Sequence, residues 1–234
     1  MSSIWAVVPA AGSGRRMAAE APKQYLRIAG ISLLEHTLRG LLACPAIRGV
    51  VVALDPGDRR ADTVASLSDP RVTRSSGGAE RADSVLAGLE ALVDVAGEQD
   101  WVLVHDAARP CLPLRNLQQL IDTVTETGMG TVLAQPVNDT VKRVDSEGVI
   151  EKTLDRSTLW RAQTPQMFRL QELRDALRRA LEQGAAVTDE ASAMEFAGYP
   201  VRVLEGPSCN LKVTVPEDLQ LAEHYLKAAA AKRL

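Results

Sequence analysis

The sequence predicts a three-layer α/β domain built on a mostly parallel sheet, on three observations. Short β-branched runs recur at Ile4–Val8, Gly49–Leu54, Arg71–Thr73, Trp101–Val104, Thr131–Val137 and Val201–Leu204. They are nearly continuous in apolar character, as strands covered on both faces are. Between them lie helical stripes, Leu34, Leu38, Leu41 and Leu42 in one, Val85, Leu86, Leu89, Leu92, Val93 and Ala96 in another, each spaced for one face of a helix. Strand and helix alternate, so neighbouring strands are joined by crossovers and run parallel.

The element boundaries carry their own signals. Ser32 with Glu35 has the capping-box pattern at the start of the first helix, and Thr214, Pro216 and Glu217 announce the last, which runs to Ala231. Arg178 and Arg179 share a helix with Glu172, Asp175 and Glu182, an ordinary exposed face of alternating charge. One segment breaks the rhythm. Asp139–Val144 and Val149–Thr153 are short, polar and alternating around Asp145-Ser146-Glu147-Gly148, which predicts a β-hairpin. A two-stranded hairpin alone is marginally stable, so it must pack on its own domain or on another chain. We expect another chain, with residues 138–157 as a dimerisation arm on a single domain spanning 1–234. As an edge it is also blunted by Lys142, Arg143 and Lys152, so a merely solvated hairpin is the alternative.

Composition narrows the function classes. With 234 residues, 46% apolar and 24% charged, the chain can bury a sizeable core. Its apolar runs fall far short of the roughly 20 residues that a membrane span needs. The 27 basic and 30 acidic side chains give a net charge of -3, so no global positive field attracts nucleic acid or an anionic membrane. Aromatic residues, at 3%, offer no stacking platform for single strands. Any anionic ligand must therefore be held locally. Cys44, Cys111 and Cys209 form no CxxC pair, which fits a reducing compartment, the cytoplasm by default, and no structural zinc. Arg15 and Arg16 follow the first apolar stretch rather than precede it, so the N-terminus does not read as a signal peptide.

The strongest chemical signal follows the first strand: Pro9-Ala10-Ala11-Gly12-Ser13-Gly14-Arg15-Arg16-Met17, then Pro22-Lys23-Gln24-Tyr25. Small residues let a phosphate approach the backbone, consecutive N–H groups of a glycine-rich turn form an anion nest, and Arg15, Arg16 and Lys23 can neutralise a polyphosphate. Two familiar loops fail on spacing. A dinucleotide fingerprint needs a third Gly or Ala where Met17 stands, and a P-loop needs Gly-Lys-Ser/Thr beyond its first Gly. A tight turn with solvated arginines is the plain alternative. Asp106 follows the strand Trp101–Val104, at the carboxyl edge where open α/β sheets collect ligands. There it reads either as a Mg²⁺ ligand or as a loop-capping carboxylate paired with Arg109. His105 reads as structural, Ser84 at the head of a helical stripe as a simple cap, and Thr188, Asp189 and Glu190 as a helix start or a site contact.

Taken with Glu80-Arg81-Ala82-Asp83-Ser84-Val85, Val104-His105-Asp106-Ala107-Ala108-Arg109-Pro110, Thr164-Pro165-Gln166, Thr188-Asp189-Glu190-Ala191-Ser192 and Asn210-Leu211-Lys212-Val213-Thr214, these loops resemble one family over nearly the whole chain. It is that of the 2-C-methyl-D-erythritol 4-phosphate cytidylyltransferases, relatives of the nucleotidyl-sugar transferases. The resemblance implies a Rossmann-like homodimer that transfers CMP from CTP to methylerythritol phosphate with Mg²⁺, or Mn²⁺ in its place, and releases pyrophosphate, in the non-mevalonate isoprenoid pathway. It implies that Arg16, Lys23 and Lys212 act on the phosphates, and that Ala10, Ala11, Gly12, Gly14, Gly78 and Ser84 hold the nucleotide with Asp106, which also holds the metal. Arg109, Thr140, Arg156 and Thr164 then hold the second substrate, Thr140 and Arg156 from the partner's hairpin. One departure stands out. Ala79 occupies a position where relatives often carry an acid, which removes a side-chain acceptor for the cytosine amino group. A cytidylyltransferase for another polyol phosphate, such as ribitol phosphate, and a non-catalytic nucleotide-binding regulator are the alternatives.

Overall fold

The computed structural model describes residues 2–12 and 22–231. Seven strands form the central sheet: β1 (Ile4–Pro9), β4 (Ile47–Leu54), β5 (Val72–Ser76), β6 (Trp101–Val104), β7 (Thr131–Pro136), β10 (Trp160–Arg169) and β11 (Arg202–Glu205). Two small hairpins supply the rest, β2 (Arg27–Ile28) with β3 (Ile31–Ser32), and β8 (Lys142–Val144) with β9 (Ile150–Thr153). The sheet order is β11-β7-β10-β6-β1-β4-β5. All neighbouring pairs are parallel except those of β10, which lies antiparallel to both β6 and β7.

Helices α1 (Leu33–Leu42) and α3 (Leu114–Thr127) cover one face, and α2 (Arg81–Glu90), α4 (Leu170–Glu182) and α5 (Glu190–Phe196) the other. Alternate residues of one strand serve the two faces. In β1, Ile4, Ala6 and Val8 pack with α1 and α3, whereas Val7 packs with α2 and α4. That two-sided burial is why the strand is apolar throughout. The last helix, α6 (Pro216–Ala231), packs through Ala222 against a third cluster that includes Ile28, Leu33 and Cys111.

The predicted strands and the three-layer architecture are present, with Trp101–Val104 matched at both ends and the others shifted by up to three residues. Three local expectations change. β10 was not predicted, because Pro165 and the polar run Gln163, Thr164 and Gln166 conceal a strand whose polar groups are bonded inside the fold. Only half of the Ser32 capping box forms. Ser32 Oγ accepts from Glu35 N at 3.2 Å, but the Glu35 carboxylate turns to Arg39 and Ser66. The β2–β3 connection, Ala29-Gly30, has positive φ at both residues, 50° and 78°, the conformation of a two-residue hairpin turn. The β8–β9 hairpin is found where the sequence places it and is exposed along both strands, with Val144, Val149 and Ile150 at 49%, 60% and 58%.

Candidate active site

The carboxyl ends of β1, β5 and β6 open onto a recess of about 550 Å³. Its walls come from distant segments: Ala10, Ala11 and Gly12 after β1, Lys23 and Gln24 on a single 3-10 turn, Gly78 to Arg81 and Ser84 before and within α2, Asp106 after β6, and Lys212. Arg81, Asp106 and Lys212 also line a second recess of about 200 Å³, together with Arg109, Thr164, Thr188 and Asp189. The charged cluster is thus a partition between two compartments.

Asp106 is the centre of that partition. Its Oδ1 accepts from Arg81 Nε at 2.9 Å, and its Oδ2 faces Lys212 Nζ at 2.9 Å and Arg109 Nε at 3.4 Å. Burial would raise the carboxyl pKa, but the charges of Arg81, Lys212 and Arg109 outweigh it and hold Asp106 well below the usual carboxylate range. Arg81 is itself gripped by Glu190, Nη1 to Oε1 at 2.7 Å and Nη2 to Oε2 at 3.1 Å. Burial opposes the guanidinium charge, yet Glu190 and Asp106 raise the Arg81 pKa above its ordinary value. Arg109, also buried, spends Nη1 on the Asn210 carbonyl at 2.7 Å, which ties the Asp106 loop to the Lys212 segment.

The backbone of Asp106 is fixed by a second chain of bonds. Its N–H donates to Thr164 Oγ1 at 3.0 Å, Thr164 lies 3.0 Å from His105 Nδ1, and His105 Nε2 lies 3.1 Å from the Arg109 carbonyl. A carbonyl can only accept, so Nε2 carries the proton and Nδ1 accepts from Thr164. Burial depresses the His105 pKa to about 4, so the ring is neutral at pH 7 and acts as a strut.

At the other end of the larger recess, Ser84 Oγ accepts from Gly78 N at 3.1 Å and donates to the Glu80 carbonyl at 3.1 Å. Ser84 is therefore not the helix cap, a role that Glu80 takes with Asp83. Ala10 N donates to the Ala53 carbonyl at 2.8 Å. With both N–H groups committed, Ala10 and Gly78 have only their carbonyls left for a ligand, and that of Ala10 already accepts from Gln24 Nε2 at 2.7 Å. Gly77 allows the close approach of these loops, since a Cβ there would stand 2.3 Å from Ala11 Cβ.

Of the residues singled out from sequence, Ala10, Ala11, Gly12, Lys23, Gly78, Ser84, Asp106 and Lys212 line the larger recess, and Arg109 and Thr164 the smaller. Gly14 and Arg16 lie outside the described residues. Thr140 and Arg156 line neither recess and are exposed on the hairpin arm, where Arg156 donates to the Asn138 carbonyl. Sequence reasoning assigned no role to Arg81 and left Glu190 ambiguous. One signal was available: a cation in the first turn of a helix opposes the helix dipole and needs another reason to be there. Among the described residues no group of three or more His, Cys, Asp or Glu could hold a metal ion. Asp106 is a hard oxygen donor on the wall of both recesses, and it would take a hard cation with a nucleotide by giving up part of its contacts with Arg81, Lys212 and Arg109. No helix among the described residues is long and apolar enough to cross a membrane.

The chain is a nucleotidyltransferase, a class carried by its family and suited by a cation-lined recess at the carboxyl edge of a mostly parallel sheet. Residues 4–228 match the family of the 2-C-methyl-D-erythritol 4-phosphate cytidylyltransferases, and the chain belongs to that family. The chain is 55% identical over 230 residues to the enzyme of that name from Aeromonas hydrophila, covering 98% of this chain and 92% of the relative. It is 54% identical over 219 residues to that from Ectopseudomonas mendocina, covering 93% of each. Among solved structures, the Francisella tularensis enzyme superposes with a TM-score of 0.81 at 33% identity, over 96% of this chain and 100% of that one. A 4-diphosphocytidyl-2C-methyl-D-erythritol synthase gives a TM-score of 0.83 at 39% identity, over 97% and 100%.

Proposed function

We infer that the chain transfers CMP from CTP to the phosphate of 2-C-methyl-D-erythritol 4-phosphate and releases pyrophosphate, a step of isoprenoid precursor synthesis. The observation that carries the reading is the partition: Asp106 and its cations stand between a nucleotide-sized recess and a smaller polar one. A phosphate oxygen of the polyol phosphate attacks the α-phosphorus of CTP, a P–O bond forms, and the bond to the bridging oxygen of pyrophosphate breaks. The nucleophile has a second pKa near 6, so at neutral pH it is already an anion and needs no general base. A neutral His105 held in a bond chain agrees with that.

Catalysis is then electrostatic. Lys23 and Lys212, with Arg16, stabilise the charge that builds on the α-phosphate and the departing pyrophosphate. Asp106 would hold Mg²⁺, or Mn²⁺ in its place, which supplies further charge neutralisation on the phosphates when bound. Carbonyls of Ala10 and Gly78 accept from the cytosine amino group and would repel the oxygen that uracil has there. Arg109 and Thr164 face the second substrate, and Thr140 and Arg156 reach it from a partner's hairpin in a homodimer. The exposed apolar residues Val144, Val149 and Ile150 support that use of the arm.

The test is a pyrophosphate-release assay crossing CTP, UTP, ATP and GTP with methylerythritol phosphate and ribitol phosphate. Release is expected to be fastest with CTP and methylerythritol phosphate, with weaker release when UTP replaces CTP. Preference for ribitol phosphate would change the substrate assignment, and silence in every combination would favour a nucleotide-binding regulator.

A further inference from the structure

The turn that carries Lys23 is a single 3-10 turn, Lys23–Tyr25, too short to hold its own geometry. Its two other side chains fix it. Tyr25 Oη donates to Asp58 Oδ2 at 2.6 Å, and Tyr25 does not line the recess. Gln24, 3% exposed, does line the recess and donates from Nε2 to the Ala10 carbonyl at 2.7 Å. The residue beside Lys23 is therefore bonded to the Ala10 carbonyl on the wall of the same recess.

We propose that Gln24 is a positioning residue that joins Lys23 to the base-contacting carbonyl of Ala10, so that pyrimidine selection and placement of the lysine depend on one hydrogen bond. The proposal rests on the roles given above to Lys23 and Ala10. The Ala10 N–H is already spent on Ala53, so the peptide before Ala10 is held by the sheet and the peptide after it by Gln24. Removing the amide frees the carbonyl to reorient and releases the turn from the sheet edge. Two properties must then change together. Nucleotide discrimination falls because the acceptor no longer points at a fixed place. Turnover falls because a displacement of about 1 Å in a group that stabilises the transition state costs up to roughly a hundredfold.

The experiment compares Gln24→Met, which keeps length and volume but has no donor, with Tyr25→Phe, which removes the other tether of the turn. Pyrophosphate release with methylerythritol phosphate is measured for CTP and UTP, and binding of each nucleotide by calorimetry. Gln24→Met is expected to lower kcat with CTP about tenfold or more and to narrow the CTP-to-UTP ratio, in both kcat/KM and Kd, at least about threefold. Tyr25→Phe is expected to leave that ratio at the wild-type value. In a Lys23→Ala background, Gln24→Met should lower kcat by no more than about twofold while still narrowing the Kd ratio. Gln24→Asn, whose shorter amide does not reach the Ala10 carbonyl, should repeat the losses if the methionine variant fails to fold. An unchanged ratio in the Gln24 variants, equal narrowing in Tyr25→Phe, or a full additional loss in the Lys23→Ala background would overturn the proposal. If the wild-type protein transfers no CMP, the functional reading fails, and the Kd ratios still decide whether Gln24 governs the base pocket.

Discussion

Glu190 grips Arg81 with both carboxylate oxygens, at 2.7 and 3.1 Å, and so aims the Arg81 Nε at Asp106. The two residues are 109 positions apart, on α5 and α2, and Glu190 is 1% exposed. Removing one partner of such a buried pair leaves an uncompensated charge, whereas removing both need not. Glu190→Met is expected to destabilise the protein by about 3–5 kcal/mol in urea unfolding, and Arg81→Met/Glu190→Met by clearly less. A double variant as unstable as the sum of the single ones would show that the pair is not coupled.

His105 predicts a pH dependence of stability. Its folded pKa, about 4, lies below the unfolded value near 6.5, so on acidification the unfolded chain takes up the proton first. The stabilisation is complete above pH 6.5 and is lost as pH falls from there through 4, amounting to about 3 kcal/mol. His105→Gln keeps an N–H for the Arg109 carbonyl but does not titrate. Unfolding measured from pH 4 to 7 should therefore be flatter in the variant; equal slopes would remove His105 from the explanation.

Nucleotide selectivity is expected to be measurable but limited, because Ala79, exposed at the edge of the recess, supplies no side-chain acceptor. Each mismatched hydrogen bond at a base edge is worth about 1–3 kcal/mol. Ala79→Asp should widen the kcat/KM ratio of CTP over UTP by about tenfold. If the ratio stays put, residue 79 does not face the base.

A shared site predicts subunit complementation. Lys23→Ala should lower kcat by about 10² to 10³, as loss of one stabilising group on the reacting charge does. Arg156, remote from both recesses of its own chain, should be nearly as damaging when changed to Ala. Mixed and allowed to exchange, the two variants form heterodimers with one intact and one doubly defective site, so about a quarter of wild-type activity should return. Continued inactivity after exchange, followed by mass spectrometry, would place Arg156 in its own chain's site.

The sequence by itself determined most of the sheet, because a strand buried on both faces must be apolar there, and β1, β6 and β4 from Gly49 onward are. It also pointed to loops that line the recess, Ala10 to Gly12 and Lys23 by their residue types, Asp106 as one of two readings, and Lys212 through the family resemblance. The hairpin was legible for the same local reason, alternation around a turn. Only the tertiary structure decided what local pattern cannot encode. β10 looks unlike a strand until Asn210, Asp189 and the backbone of α5 satisfy its buried amides and carbonyls. Arg81 and Glu190 look like ordinary helix-end charges until α2 and α5 bring them together. Whether a buried polar group stabilises or disrupts depends on the partner it meets, and that partner is supplied from far along the chain.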